Sequence, residues 1–169
     1  MPATYTLIAS NTLSSSAASV TFSAIPGTYT DLILRWSARH TGATTSPLSV
    51  RVTFNGATTN YSDTNLLGES TGASSGRNTG LAYFNFNGGM VAGGATSNTF
   101  SNTEIYIPSY ASANNKPVNY ETGCENNSTL ALNGAIAGLW SNTAAITSIG
   151  LSTNFASGSS FFLYGIKNS

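Results

Sequence analysis

One histidine and one cysteine bound the covalent and acid–base chemistry open to this chain. A Ser-His-Asp or Cys-His apparatus would need His40 as its base, since imidazole is the side chain whose ordinary titration falls near neutrality. His40 sits in Arg39-His40-Thr41-Gly42, just past a strand-like run and with no acid close by in sequence, so its expected role is to cap a strand. His40 and Cys124 together are too few for a structural zinc site, which takes four ligands. A lone cysteine also excludes an internal disulfide. Cys124 is expected to be a half-buried small apolar residue in a strand.

Carboxylates are the remaining route to catalysis, and there are six: Asp31, Asp63, Glu69, Glu104, Glu121 and Glu125. Glycoside hydrolysis needs two of them flanking one bond, and nothing in their spacing marks a pair. Asp63 and Glu69, with loop carbonyls, have the oxygen chemistry for calcium, yet Asp63-Thr64-Asn65 lacks the rest of an EF-hand loop. Gly88-Gly89-Met90-Val91-Ala92-Gly93-Gly94 matches neither a phosphate loop nor a dinucleotide fingerprint, because no Lys-Ser/Thr follows and no helical pattern begins there; a turn is the expected use. Asn60-Tyr61-Ser62, Asn126-Asn127-Ser128 and Asn127-Ser128-Thr129 match glycosylation acceptors, as chance supplies in a chain rich in Asn, Ser and Thr. Exposed aromatic rings beside Asn and Ser could stack on sugars. Trp36 lies on the apolar face of its strand and reads as core; Trp140, followed by Ser141-Asn142, is open to either role. No catalytic, cofactor or metal site is expected, and the chain is not expected to be an enzyme.

Composition narrows the partners. Only 7% of the 169 residues are charged, against roughly 25% in typical globular domains. The six basic residues, Arg35, Arg39, Arg51, Arg77, Lys116 and Lys167, are scattered and the net charge is zero, so the basic footprint of a nucleic-acid binder is missing. No apolar run approaches the ~20 residues that cross a bilayer, and Met1-Pro2-Ala3-Thr4 carries neither a basic cluster nor an apolar segment of a secretory signal. Neither nucleic acid nor membrane is an expected partner, and export, where it occurs, is expected by a route other than secretion, such as cell lysis. A neutral surface gives up like-charge repulsion between copies, which suits a lattice or an oligomer.

The elements follow from alternation. Thr4 to Ile8 and Val20 to Phe22 read as short strands, N-terminal strands within 4–22 that are expected to contact neighbouring subunits. Ile25-Pro26-Gly27-Thr28 has the Pro-Gly order of a type II turn. Leu32, Leu34, Trp36 and Ala38 share one face of a strand; Leu48, Val50, Val52 and Phe54 share one face of the next, which ends at the hairpin signal Asn55-Gly56. Between 57 and 80 apolar residues thin out, predicting a long polar loop of the kind that makes contacts. Strands resume at Leu81 to Phe86, Phe100 to Ile107, Val118 to Cys124, Leu130 to Trp140 pivoting at Asn133-Gly134, Ala145 to Leu151, and Phe161 to Ile166. The expectation is a single all-β domain over 1–169, an antiparallel β-sandwich, jelly-roll-like, of about 8–10 strands.

Four stretches carry a resemblance: Phe22-Ser23-Ala24-Ile25-Pro26-Gly27-Thr28-Tyr29-Thr30-Asp31-Leu32, Phe100-Ser101-Asn102-Thr103-Glu104-Ile105-Tyr106-Ile107-Pro108, Leu139-Trp140-Ser141-Asn142-Thr143-Ala144-Ala145-Ile146, and Leu163-Tyr164-Gly165-Ile166-Lys167. Together they resemble short virion proteins of tailed phages, including phages of aquatic bacteria and cyanobacteria. The resemblance covers nearly the whole chain and rests on structural punctuation, so it brings no site residues with it. It implies a β-rich, non-enzymatic protein present in many copies on the particle surface and assembled in the host cytoplasm. With the small size and neutral surface, the expectation is a capsid decoration (cement) protein, a homotrimer seated on the major capsid protein. The alternative is a receptor-binding tip of a tail or fibre that recognises host polysaccharide.

Overall fold

The computed structural model describes residues 4–127 and 130–167, and within them the chain contains twelve strands and no helix. Ser, Thr and Asn in place of long charged side chains favour this outcome, because their hydroxyls and amides compete for backbone bonds inside helices. The strands are β1 (Tyr5–Thr12), β2 (Ala17–Phe22), β3 (Asp31–Ala38), β4 (Leu48–Phe54), β5 (Tyr61–Glu69), β6 (Gly72–Leu81), β7 (Phe84–Met90), β8 (Ser101–Ile107), β9 (Lys116–Cys124), β10 (Leu132–Trp140), β11 (Ile149–Phe155) and β12 (Ser160–Ile166). They pair antiparallel in two sheets, one of eight strands in the order β1-β12-β3-β8-β9-β10-β5-β6 and one of four in the order β2-β11-β4-β7. The chain crosses repeatedly from one sheet to the other, and the sheets pack face to face as a sandwich.

Strict alternation builds the layer between the sheets. Val118, Tyr120, Thr122 and Cys124 of β9, and Leu132, Gly134, Ile136, Gly138 and Trp140 of β10, point inward while their neighbours face outward or lie at the margin. From the smaller sheet come Val50, Val52 and Phe54 of β4 and Phe84 and Phe86 of β7, all fully buried. Phe54 is the hub of one aromatic cluster, edge-on to Phe84 at 5.6 Å and to Trp140 at 5.7 Å between ring centroids. Such pairings add to the burial of their area by matching ring edges to ring faces. A buried polar bridge crosses β8 and β9, where the Thr103 and Thr122 hydroxyls lie 2.8 Å apart.

The expected long polar loop over 57–80 is instead the β5–β6 hairpin, and it raises the strand count above the 8–10 expected. Its apolar signal is absent for a physical reason. Nearly every residue of β6 is exposed, with only Gly76 and Leu81 partly covered, so the strand buries neither face and needs no alternation. Backbone pairing with β5 holds it. The eight-stranded sheet thus ends on two well-exposed edges, β1 and β6.

Other local expectations are corrected too. Asn55 and Gly56 both adopt positive φ, 53° and 67°, and the Ala57 amide donates to the Phe54 carbonyl at 2.9 Å, the geometry of a type I′ turn. Yet the turn joins no hairpin, for β4 pairs with β11 and β7. The Asn55 side chain binds the segment before β11, accepting from the Thr147 and Ser148 amides at 2.8 and 3.0 Å. That anchorage is also why β11 begins at Ile149 rather than at Ala145. Positive φ near Pro26 falls on Ala24, so the type II turn expected at Gly27 is not formed. Asn133-Gly134 is no pivot but part of the continuous β10. The run Gly88 to Gly94 allows close approach more than turning. A Cβ on Gly88 would lie 2.4 Å from the Leu132 side chain, and one on Gly94 would lie 2.1 Å from the Ala43 carbonyl oxygen.

Candidate functional site on the eight-stranded sheet

Residues expected to act alone are placed in structural roles. The His40 Nδ1 accepts from the Gly42 amide at 2.7 Å, the strand-end role its context suggests, and partial burial pulls its pKa below the ordinary value. Cys124 is fully rather than half buried, and burial, with the Glu125 charge second, pushes its thiol up to about 11. Asp63 and Glu69 both lie on β5, six positions and so about 20 Å apart, too far to share a calcium ion. Among the described residues no group of three or more His, Cys, Asp or Glu side chains is gathered as for a metal. Trp140, left open between core and sugar platform, is 1% exposed and belongs to the core, as does Trp36. The acceptor motifs Asn126-Asn127-Ser128 and Asn127-Ser128-Thr129 lie partly outside the described residues.

The groups that do come together lie on the outward face of the eight-stranded sheet, where register sets them in rows running across the strands. One row is charged: Phe162 of β12 is opposite Arg35 of β3, Arg35 opposite Glu104 of β8, Glu104 opposite Glu121 of β9, and Glu121 opposite Ala135 of β10. The Arg35 Nε donates to Glu104 at 2.5 Å, with both side chains about half exposed. An exposed pair of this kind contributes only ~0–1 kcal/mol. Glu121 has no partner among the described residues and faces Glu104 across the strand pair, an arrangement that opposes folding slightly through like-charge repulsion. Sequence spacing hides this juxtaposition because Glu104 and Glu121 are brought opposite each other only by the pairing of β8 with β9.

To one side of the charged row lies a row of short side chains: Ser37, Asn102, Gly123, Asn133 and Gly68, on β3, β8, β9, β10 and β5 in turn. Short side chains between taller ones make a trough. Two concavities of about 470 and 480 Å³ share Asn102, Gly123 and Asn133, and a third of about 390 Å³ continues past Asn133 to Gly68 and Leu66. Above Gly123 the trough is open, since a Cβ there would meet nothing within 4 Å. By the usual strand spacing it runs roughly 24 Å from β12 to β5.

On the other side of the charged row the face turns apolar. Leu7 of β1, Tyr164 of β12, Ile33 of β3 and Tyr106 of β8 form a row, with Tyr5 beside it opposite Ile166. Tyr5, Leu7 and Tyr106 are 51%, 52% and 37% exposed. Tyr106 is aimed by Asp31, which accepts its hydroxyl at 2.8 Å and the Ser109 amide at the same distance. That hydrogen bond, then burial and the Asp31 charge, push the Tyr106 pKa up. The exposed aromatics of this molecule are therefore two tyrosines in the half of the large sheet from β1 to β8, which no sequence motif marks.

No protein-family model matches the chain, no curated protein matches it, and no solved structure matches it.

Proposed function

We propose that the chain is a structural protein of a tailed-phage particle, a capsid decoration (cement) protein that binds the outer surface of the head as a homotrimer and stabilises the lattice of the major capsid protein, with no enzymatic activity. The observation that carries this reading is the exposed apolar row that runs from Tyr5 and Leu7 of edge strand β1 to Tyr106 of β8. Tyrosine and leucine exposed together are costly to leave in water and suited to burial against protein. β1 adds a second attraction. It is an eight-residue edge strand with no charge and no proline, the kind of edge that pairs with a further chain unless protected. The N-terminal strands are in this reading the contact with neighbouring subunits.

Contacts made by apolar area and neutral hydrogen bonds also resist salt better than exposed ion pairs. Burying ~800 Å² of apolar surface contributes a gross ~20 kcal/mol before the costs of association. Counting copies of the chain against the major capsid protein in purified particles tests the proposal. A ratio fixed by the lattice is expected; a handful of copies per particle, the stoichiometry of a tail tip, overturns it.

A receptor-binding tip that recognises host polysaccharide is the second reading. The open polar trough beside the charged row favours it, and a copy count separates the two locations.

A further inference from the structure

We infer that the trough on the large sheet is a binding site for a neutral oligosaccharide, lying across β3, β8, β9 and β10 with Arg35, Glu104, Glu121, Asn102 and Asn133 as its hydrogen-bonding groups and Phe162 as an apolar wall. Placement of charge is the first argument. This chain has only six acidic and six basic residues, and Arg35, Glu104 and Glu121 stand side by side in one row on the wall of one concavity. Elsewhere Ser, Thr and Asn supply most of the hydration, and the other exposed charges, Arg51, Glu69, Arg77, Glu125 and Lys167, are dispersed rather than set in one row.

Their arrangement is the second. Folding would be served by a neutral residue at either Glu104 or Glu121, because carboxylates directly across a strand pair repel. Arg35 offsets one of them, and Glu121 is left without a partner among the described residues. A local choice that opposes stability marks a site kept for something else.

Chemistry then selects the occupant. Vicinal sugar hydroxyls donate to a carboxylate and accept from a guanidinium, and the Asn102 and Asn133 amides can do both. Phe162 offers an apolar surface to the C–H face of a ring. The wall carries net −1 from Arg35, Glu104 and Glu121, which disfavours phosphates, nucleic acids and uronate polymers. A volume of about 470 Å³ falls in the range of ligand sites, ~300–1,000 Å³. Because the depression continues through Asn133 toward Gly68, it admits a chain of sugars rather than a compact cofactor. The apolar row adjoins the far side of the charged wall, where Arg35 and Phe162 both lie against the Tyr164 ring, whereas Asn102, Gly123 and Asn133 lie on the side away from it. The site fits a head decoration protein and a fibre tip alike, so a failed copy count leaves it standing.

The test is an NMR titration of the full chain with neutral hexasaccharides of glucose, mannose, galactose and N-acetylglucosamine, alongside polygalacturonate oligomers. Saturable binding of at least one neutral sugar at up to millimolar concentration is expected, with amide shifts concentrated at Ser37, Asn102, Gly123 and Asn133. Glu121→Gln should weaken it by about tenfold, the loss of one charge-assisted hydrogen bond, while Ser152→Ala on the opposite sheet leaves it unchanged. An unchanged amide spectrum in Glu121→Gln establishes that the fold survives. No neutral binder, shifts centred elsewhere, or equal binding of polygalacturonate would each overturn the inference.

Discussion

The two faces of the eight-stranded sheet are made from the same strands and obey opposite rules. On β3, Trp36 is buried while its neighbour Arg35 is exposed; on β9, Tyr120 is buried while Glu121 is exposed. Inward, every position is filled: a Cβ on Gly138 would lie 2.6 Å from the Phe84 ring and 2.7 Å from Val118. Outward, a Cβ on Gly123 meets nothing. Close packing makes the inner face intolerant of volume and so fixes the fold, whereas the outer face is free of that constraint and can be shaped for contact. A residue's worth to stability and its worth to function are therefore expected to separate cleanly by strand parity.

The largest break of that contrast is expected at the aromatic hub. Trp140→Ala should lower unfolding free energy by about 3–5 kcal/mol, read as a fall in the urea midpoint, while Leu66→Ala, 59% exposed on the outer face, should stay within about 0.5 kcal/mol. A comparable loss from Leu66→Ala would mean that the outer face is packed after all.

Next comes a clamp at the sheet margin. The Arg39 guanidinium donates to the carbonyls of Gly93, Ala95, Thr96 and Thr99 at 2.7–3.0 Å, gathering a loop that has little apolar cover. Arg39→Ala should cost about 2 kcal/mol and open the 93–99 segment to proteolysis before the sheets unfold. Glycine substitutions sharpen the same contrast at single-methyl resolution: Gly138→Ala should destabilise by about 1–3 kcal/mol through overpacking, and Gly123→Ala by almost nothing.

A last break of the contrast is alkaline. Cys124 has its thiol raised to about 11 in the folded protein, above 9.0 in the unfolded chain. Its contribution is complete below pH 9.0 and is lost as pH rises to about 11, because there the unfolded chain releases a proton that the folded one keeps. Cys124→Ala should flatten the decline in stability over that window. Reaction of the wild-type thiol with a labelling reagent should be limited by unfolding.

Much of the inner face was legible in the chain. Alternation in Leu32 to Ala38, Leu48 to Phe54 and Val118 to Cys124 identifies strands and their buried sides, since a strand half in a core must repeat every two residues. The all-β class follows as well. The β5–β6 hairpin escaped that signal because β6 buries neither face. The charged row and trough escaped it because Arg35, Glu104 and Glu121 are ordinary outward residues taken one strand at a time.

By itself, then, the sequence determined which residues face inward along most strands, that helices are disfavoured, and that the surface is neutral. Tertiary structure alone decided which strands are neighbours: β8 beside β9, bringing Glu104 opposite Glu121, and β1 at an edge with Tyr5 and Leu7 uncovered. The physical reason is that side-chain parity is local, encoded in consecutive residues, whereas strand order is settled by the packing of the whole sandwich and the crossings between its sheets.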